Sequence, residues 1–226
     1  MDEEATNEMC FSATASFVAG TVLLGMGAAT IGRLARPAEV PYALIPALFG
    51  IQQLIEGGLW LTLPDGSPHL SNILTHTYAF FSHVLWPIFV PLAVLLIEPD
   101  RRRRRILAGL AAAGGIAGSY LLYFWGADPT TAQVVGDHML YISPHFFDGP
   151  ILALYVLGTC LSSFVSSHAA VRWFGAAVSL SLAAAYLFYA MWFISVWCFF
   201  AAIMSFTVML FFRRARAAEK SIRCVD

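Results

Sequence analysis

Two apolar stretches, Pro41 to Leu63 and Leu70 to Glu98, carry side chains capable of chemistry at helical spacing. In the first, Gln52, Gln53 and Glu56 lie three and four residues apart and project from one helix face. In the second, His76 and His83 are separated by seven residues, close to two turns, and should share a stripe. His69 joins that stripe if Ser67 and Pro68 open the helix as cap and first residue. A polar connection of roughly twenty residues, long enough to be a lid or binding loop, then supplies His138 and His145, with Asp148 just beyond it. Carboxylates and imidazoles in an apolar solvent are costly and mark a candidate site. His76, Glu56, His145 and Asp148 form a candidate metal set. Three such ligands plus water would give a zinc-type Lewis acid, with Glu56 or Asp148 as base or ligand and His83 as a further catalytic candidate. Gln52, Gln53 and His138 would complete the polar surroundings. No HExxH or comparable cluster supports the metal, so a hydrogen-bonded network and a proton or ion path stay open beside it.

Composition sets the class. The chain has 226 residues, of which 59% are hydrophobic and 12% charged, with a mean hydropathy of +0.71. Its apolar runs exceed what a water-soluble core needs, which predicts an integral, multi-pass membrane protein, in the plasma or inner membrane if bacterial. The net charge of -1 conceals segregated charges and gives no footing for nucleic-acid binding. Four cysteines without CxxC spacing form no disulfide framework or zinc finger. Cys10 and Cys198 both fall towards the outer face, either as a disulfide or as two separate thiols.

The expected architecture is all-α, a bundle of seven transmembrane helices at residues 10–212, between an acidic tail (1–9) and a basic tail (213–226). The spans run approximately over residues 10–32, 41–63, 70–98, 106–126 and 147–166. The apolar stretch 173–212 is twice the length of one crossing and should divide near 188–192. Pro87 and Pro91 should kink the third span, and Gly114 and Gly118 form a GxxxG contact in the fourth. With seven crossings, all 13 Lys and Arg residues fall on one side. The positive-inside rule then places the N-terminus outside and the C-terminus in the cytoplasm.

Helical rise puts Glu56 at roughly 12 Å and His76 at roughly 8 Å below the outer end, with Gln52 and His83 both deeper, at roughly 18–19 Å. Two pairings follow, Glu56 with His76 and Gln52 or Gln53 with His83. Apart from the lipid bilayer itself, the expected partners are anionic headgroups at Arg101 to Arg105, a run that also anchors topology. Trp60, Trp125, Trp192 and Trp197 lie near span ends, as in an interfacial belt.

The string Met9-Cys10-Phe11-Ser12-Ala13-Thr14-Ala15-Ser16-Phe17, with LFGIQQLIEG at 48–57, HVLWP at 83–87 and SVWCFFAA at 195–202, resembles an uncharacterised family of small multi-span membrane proteins, chiefly bacterial. The resemblance covers about Met9 to Phe212 and brings no activity with it. Members generally begin at the residue matching Met9, which implies a start-site extension before it and, after methionine removal, an N-terminal Cys10. An opsin-like protein would need a lysine in the last span, and Lys220 lies in the tail. The ceramidase and progestin-receptor-like hydrolases offer only analogy, because Ser195, Trp197 and Cys198 stand where their paired histidines would be. Three functions are therefore expected in order: a metal-dependent hydrolase of a lipid-like substrate, a transporter or receptor for a small molecule, proton or metal ion, and a structural or assembly protein.

Overall fold

A computed structural model describes residues 12–63, 66–128, 130–136 and 138–213. The acidic tail, the Met9 start, Cys10 with its disulfide option, Asp137 and the basic tail beyond Arg213 lie outside the described residues. Seven apolar helices account for nearly all of the rest: α1 (Ala13–Ile31), α2 (Val40–Thr62), α3 (Pro68–Ile97), α4 (Arg101–Ala127), α5 (Gly149–Val165), α6 (Ala169–Phe188) and α7 (Ala190–Arg213). Six are long and apolar enough to cross a bilayer, whereas α5 is shorter.

Local chemistry sets the helix boundaries. Ser12 caps α1 by accepting from the Ala15 amide at 3.2 Å, and Asp100 caps α4 by accepting from Arg103 at 2.8 Å. The five arginines expected in a loop therefore form the opening of α4. The long apolar run divides at Tyr189, where one non-helical residue separates α6 from a 3-10 turn at Ala190–Trp192.

The connection between α4 and α5 corrects the all-loop expectation. It contains an antiparallel hairpin, β1 (Thr131–Val135) and β2 (His138–Ile142), paired from Val135 with His138 to Thr131 with Ile142. Gly136 turns it with φ +62°, a conformation that costs glycine nothing. On β2, Met139 and Tyr141 alternate inward and are buried.

The third span is irregular at its prolines. α3 stays one element but widens into a π turn at Phe80–Leu85, directly before Pro87, where the Trp86 amide reaches back to Phe81. Proline cannot donate to, and sterically opposes, the carbonyl four residues before it, and the wider turn relieves that conflict. The Pro87 carbonyl then becomes the meeting point of three helices. A Cβ built on Gly114 of α4 would lie 1.9 Å from that oxygen, and one on Gly158 of α5 would lie 3.1 Å from it. α1 and α2 meet in the same way, through Gly20 and Gly27 on one side and Gly50 on the other.

The end of α3 is held by a buried carboxylate. Glu98 accepts from the Ser166 hydroxyl (3.1 Å), the Ser167 amide (2.8 Å), the Asp100 amide (3.2 Å) and, more closely still, the Ser167 hydroxyl. Arg103 donates to the Val165 carbonyl and Arg172 to those of Ser166 and Ser167. The first turn of α4 and the α5–α6 link are thereby tied to one point.

Two predictions follow from this packing. Gly114→Ala must push backbone from backbone and should destabilise the detergent-solubilised protein by about 1–3 kcal/mol. Gly115→Ala, which meets nothing within 4 Å, should be neutral in the same unfolding assay. Burial raises the Glu98 pKa, but its bonds to Ser167, Asp100 and Ser166 outweigh that and hold it below the usual carboxylate value. A depressed folded-state pKa stabilises fully above the unfolded value of about 4.3, and this contribution is lost as the pH falls through the folded one. Glu98→Gln should therefore melt earlier than wild type at pH 7, and the gap should close on acidification below about pH 4.

Candidate functional site

The stretch at 52–56 faces the core as its spacing requires: Gln52, Gln53 and Glu56 are all buried. Their partners differ from the expected ones. Glu56 accepts from the Ser195 hydroxyl of α7 at 2.5 Å and from Gln53 Nε2 at 3.3 Å. Gln52 Oε1 accepts from the Trp86 indole at 2.7 Å, and Phe49 stacks on that indole with centroids 3.8 Å apart. Tyr78, Tyr141 and Cys198 lie close enough to sense the Glu56 charge. Tyr141 comes from the hairpin and stacks flat on Tyr78, with centroids 4.4 Å apart and planes 3° from parallel.

The result is a chamber of neutral polar groups around one carboxylate. Glu56 forms no ion pair among the described residues. Gln52 Nε2, Gln53 Oε1 and the hydroxyls of Tyr78 and Tyr141 are buried without a hydrogen-bond partner. Such groups cost roughly 1–3 kcal/mol each when left unsatisfied, and Gln52 and Tyr78 face the Cys198 thiol. An apolar cavity of about 30 Å³, bordered by Trp86, Tyr155, Trp197 and Cys198, adjoins the chamber.

The histidines do not join it. His83 lies inside the π turn at Phe80–Leu85, whose wider winding breaks the 3.6-residue period that would align it with His76. The shared stripe, and the pairings Glu56–His76 and Gln52 or Gln53–His83, are accordingly not formed. His76 is half-buried, turned back to the Asn72 carbonyl (3.2 Å) and set edge-on to Trp125, whose indole donates to the His76 carbonyl at 2.9 Å. His83 is buried beside Ser82 and Phe146. His138 lies on β2 with its ring stacked on Trp192 at 4.5 Å.

His145 meets Asp148, but not as a metal pair. Its Nε2 faces Asp128 at 3.2 Å and its Nδ1 faces Asp148 at 3.6 Å, so the two carboxylates sit on opposite sides of the ring. Asp148 also accepts from the Tyr120 hydroxyl at 2.7 Å. Among the described residues no three His, Cys, Asp or Glu side chains converge to hold a metal ion. The set His76, Glu56, His145 and Asp148 is thus dispersed over a buried chamber, a helix surface and an outer cluster, and the catalytic trio Glu56, His83 and Asp148 is likewise divided. Trp197 is no belt residue either: it is buried and donates to the Val178 carbonyl.

Sequence reasoning overlooked Ser195, Tyr78, Trp86 and Tyr141 as site residues. Tyr141 had a usable signal, since Gly136-Asp137 between two runs of β-branched and aromatic residues is a hairpin signature.

These features define a helical bundle with several helices able to span a bilayer and with the carboxylate of Glu56 set among neutral polar groups in its interior. Residues 9–223 match a family described as "Family of unknown function (DUF6629)", and the chain belongs to that family. No curated protein and no solved structure matches it.

Tyr141 of the hairpin stacks on Tyr78 at the side of the chamber, near Cys198, so Tyr141→Ala should open a way to that thiol. Labelling of Cys198 by a water-soluble maleimide, followed by mass spectrometry of its peptide, should accelerate at least several-fold over wild type. Equal rates would show that the hairpin does not cover the site.

Proposed function

We propose that this is a seven-crossing membrane protein of the transporter class that takes up a proton, or a small monovalent cation in its place, at Glu56. The observation that carries this reading is a buried carboxylate whose hydrogen-bond partners are all neutral. A negative charge in an apolar interior is costly unless compensated. A proton compensates it directly. A small hard cation does so with oxygen ligands, and Glu56, Gln53, Ser195, Tyr78 and Tyr141 offer such oxygens within one region. A metal-dependent hydrolase would need the four dispersed ligands to meet, and it is not preferred here.

Seven crossings, with α5 counted despite its length, and an outside N-terminus agree with the distribution of charge. Arg103 and Arg172 gather around the Glu98 end, whereas Asp128, His145 and Asp148 gather at the other. The Glu98 end is then cytoplasmic, and Arg101 to Arg105 lie where anionic headgroups are found.

The test is flux. In proteoliposomes carrying an entrapped pH-sensitive dye, wild-type protein should collapse an imposed proton or sodium gradient, and Glu56→Gln should slow this at least tenfold. Glutamine keeps the shape and can still accept from Ser195, so loss of folding is not expected. Equal rates in the two proteins would overturn the reading and favour a purely structural role for the chamber.

A further inference from the structure

His83 presents a second polar problem, separate from Glu56. Its Nδ1 is 2.7 Å from Ser82 Oγ, and its Nε2 is buried with no partner. The Ser82 hydroxyl has a single hydrogen, for which the Tyr78 and Ala79 carbonyls are acceptors at 3.2 and 3.3 Å. With that hydrogen on the carbonyls, Ser82 Oγ accepts from His83 and the neutral imidazole carries its proton on Nδ1. Nε2 is then a bare lone pair that needs a donor.

The space beside it can hold that donor. His83 borders a cavity of about 10 Å³ whose polar walls are Asp128, Thr130, Ser143 and His145. That is about the room one water requires, and the polar partners are at hand. Thr130 also borders a larger cleft of about 300 Å³, lined by Thr62, Ser71, Asn72 and Thr75, and so separates the two spaces. Asp128 and His145 remain partly exposed on the other flank.

We infer that this cavity is a water site in which one molecule donates to His83 Nε2 and links it to Thr130 and the Asp128–His145 pair, a proton-exchange route from the outer cleft to a buried imidazole. A proton delivered from the Asp128–His145 side enters the water as the water passes another to Nε2, and the water is left unchanged. The titratable groups lining the cavity are His83, Asp128 and His145, and Asp148, which accepts from Tyr120, faces His145 from its other side. The π turn that places His83 here is a feature frequently found at functional sites. The water site stands independently of cation uptake at Glu56.

Nuclear magnetic resonance of ¹⁵N-histidine-labelled protein in nanodiscs tests it, with the His83 signals assigned by their loss in His83→Gln. His83 should be the neutral Nδ1–H tautomer, and its ring protons should show a cross-peak to a bound water. Thr130→Val removes one partner without changing the shape and should weaken that cross-peak several-fold. Leu121→Phe, which fills the same cavity from α4, should abolish it while the other histidine signals stay in place. An Nε2–H tautomer, or no water cross-peak in the wild type, overturns the inference. The cross-peak should persist in Glu56→Gln whether or not that variant conducts, so the two proposals fail separately.

Discussion

A carboxylate placed where water is excluded is the constraint to which the rest of the molecule answers. Glu56 sits on α2 in the packed interior, and ionised carboxylates in such surroundings are tolerated only with compensation. The hydrogen-bond partners the protein supplies are neutral donors. Ser195 reaches across from α7 and Gln53 leans back along α2, so the hydrogen bonds that serve the charge also pin the final helix to the second. The aromatic groups complete the enclosure, with Trp86 held by Gln52 from one side and the stacked Tyr78–Tyr141 pair closing another. The β-hairpin folds onto the helical bundle by burying Met139 and Tyr141.

Packing without large side chains provides the rigidity. Between helices in lipid there is little hydrophobic gain, so close van der Waals contact must substitute. Gly114 and Gly158 converge on the Pro87 carbonyl, and Gly20, Gly27 and Gly50 let α1 and α2 touch. Pro87 has two consequences at once. It imposes the π turn that turns His83 inward, and its carbonyl lies where α4 and α5 approach most closely. The backbone irregularity and the tightest packing are therefore one feature.

The two ends of the bundle carry different chemistry. At one end Glu98 gathers the serines of the α5–α6 link, with Arg103 and Arg172 satisfying nearby carbonyls. This arrangement is fully partnered and structural. At the other end His145 lies between two carboxylates, beside a cavity and an open cleft.

Sequence alone determined what depends on local properties. Apolar length identified the helices, the doubled run ending at Phe212 indicated a break that falls at Tyr189, and three-four spacing put Gln52, Gln53 and Glu56 on one buried face. GxxxG at Gly114 and Gly118 signalled a close approach that is indeed present. What the tertiary structure decided is which groups meet. A face read from periodicity says that Glu56 points inward, but it does not say that Ser195, 139 residues away, is what it meets. The assumption of uniform 3.6-residue turns failed at the π turn, and with it the alignment of His76 with His83, whereas the set His76, Glu56, His145 and Asp148 failed because among the described residues these side chains do not converge. Periodicity fixes direction around a single axis, whereas a site depends on the rotation and offset of several axes, and those are set by packing and backbone irregularities far apart in the chain.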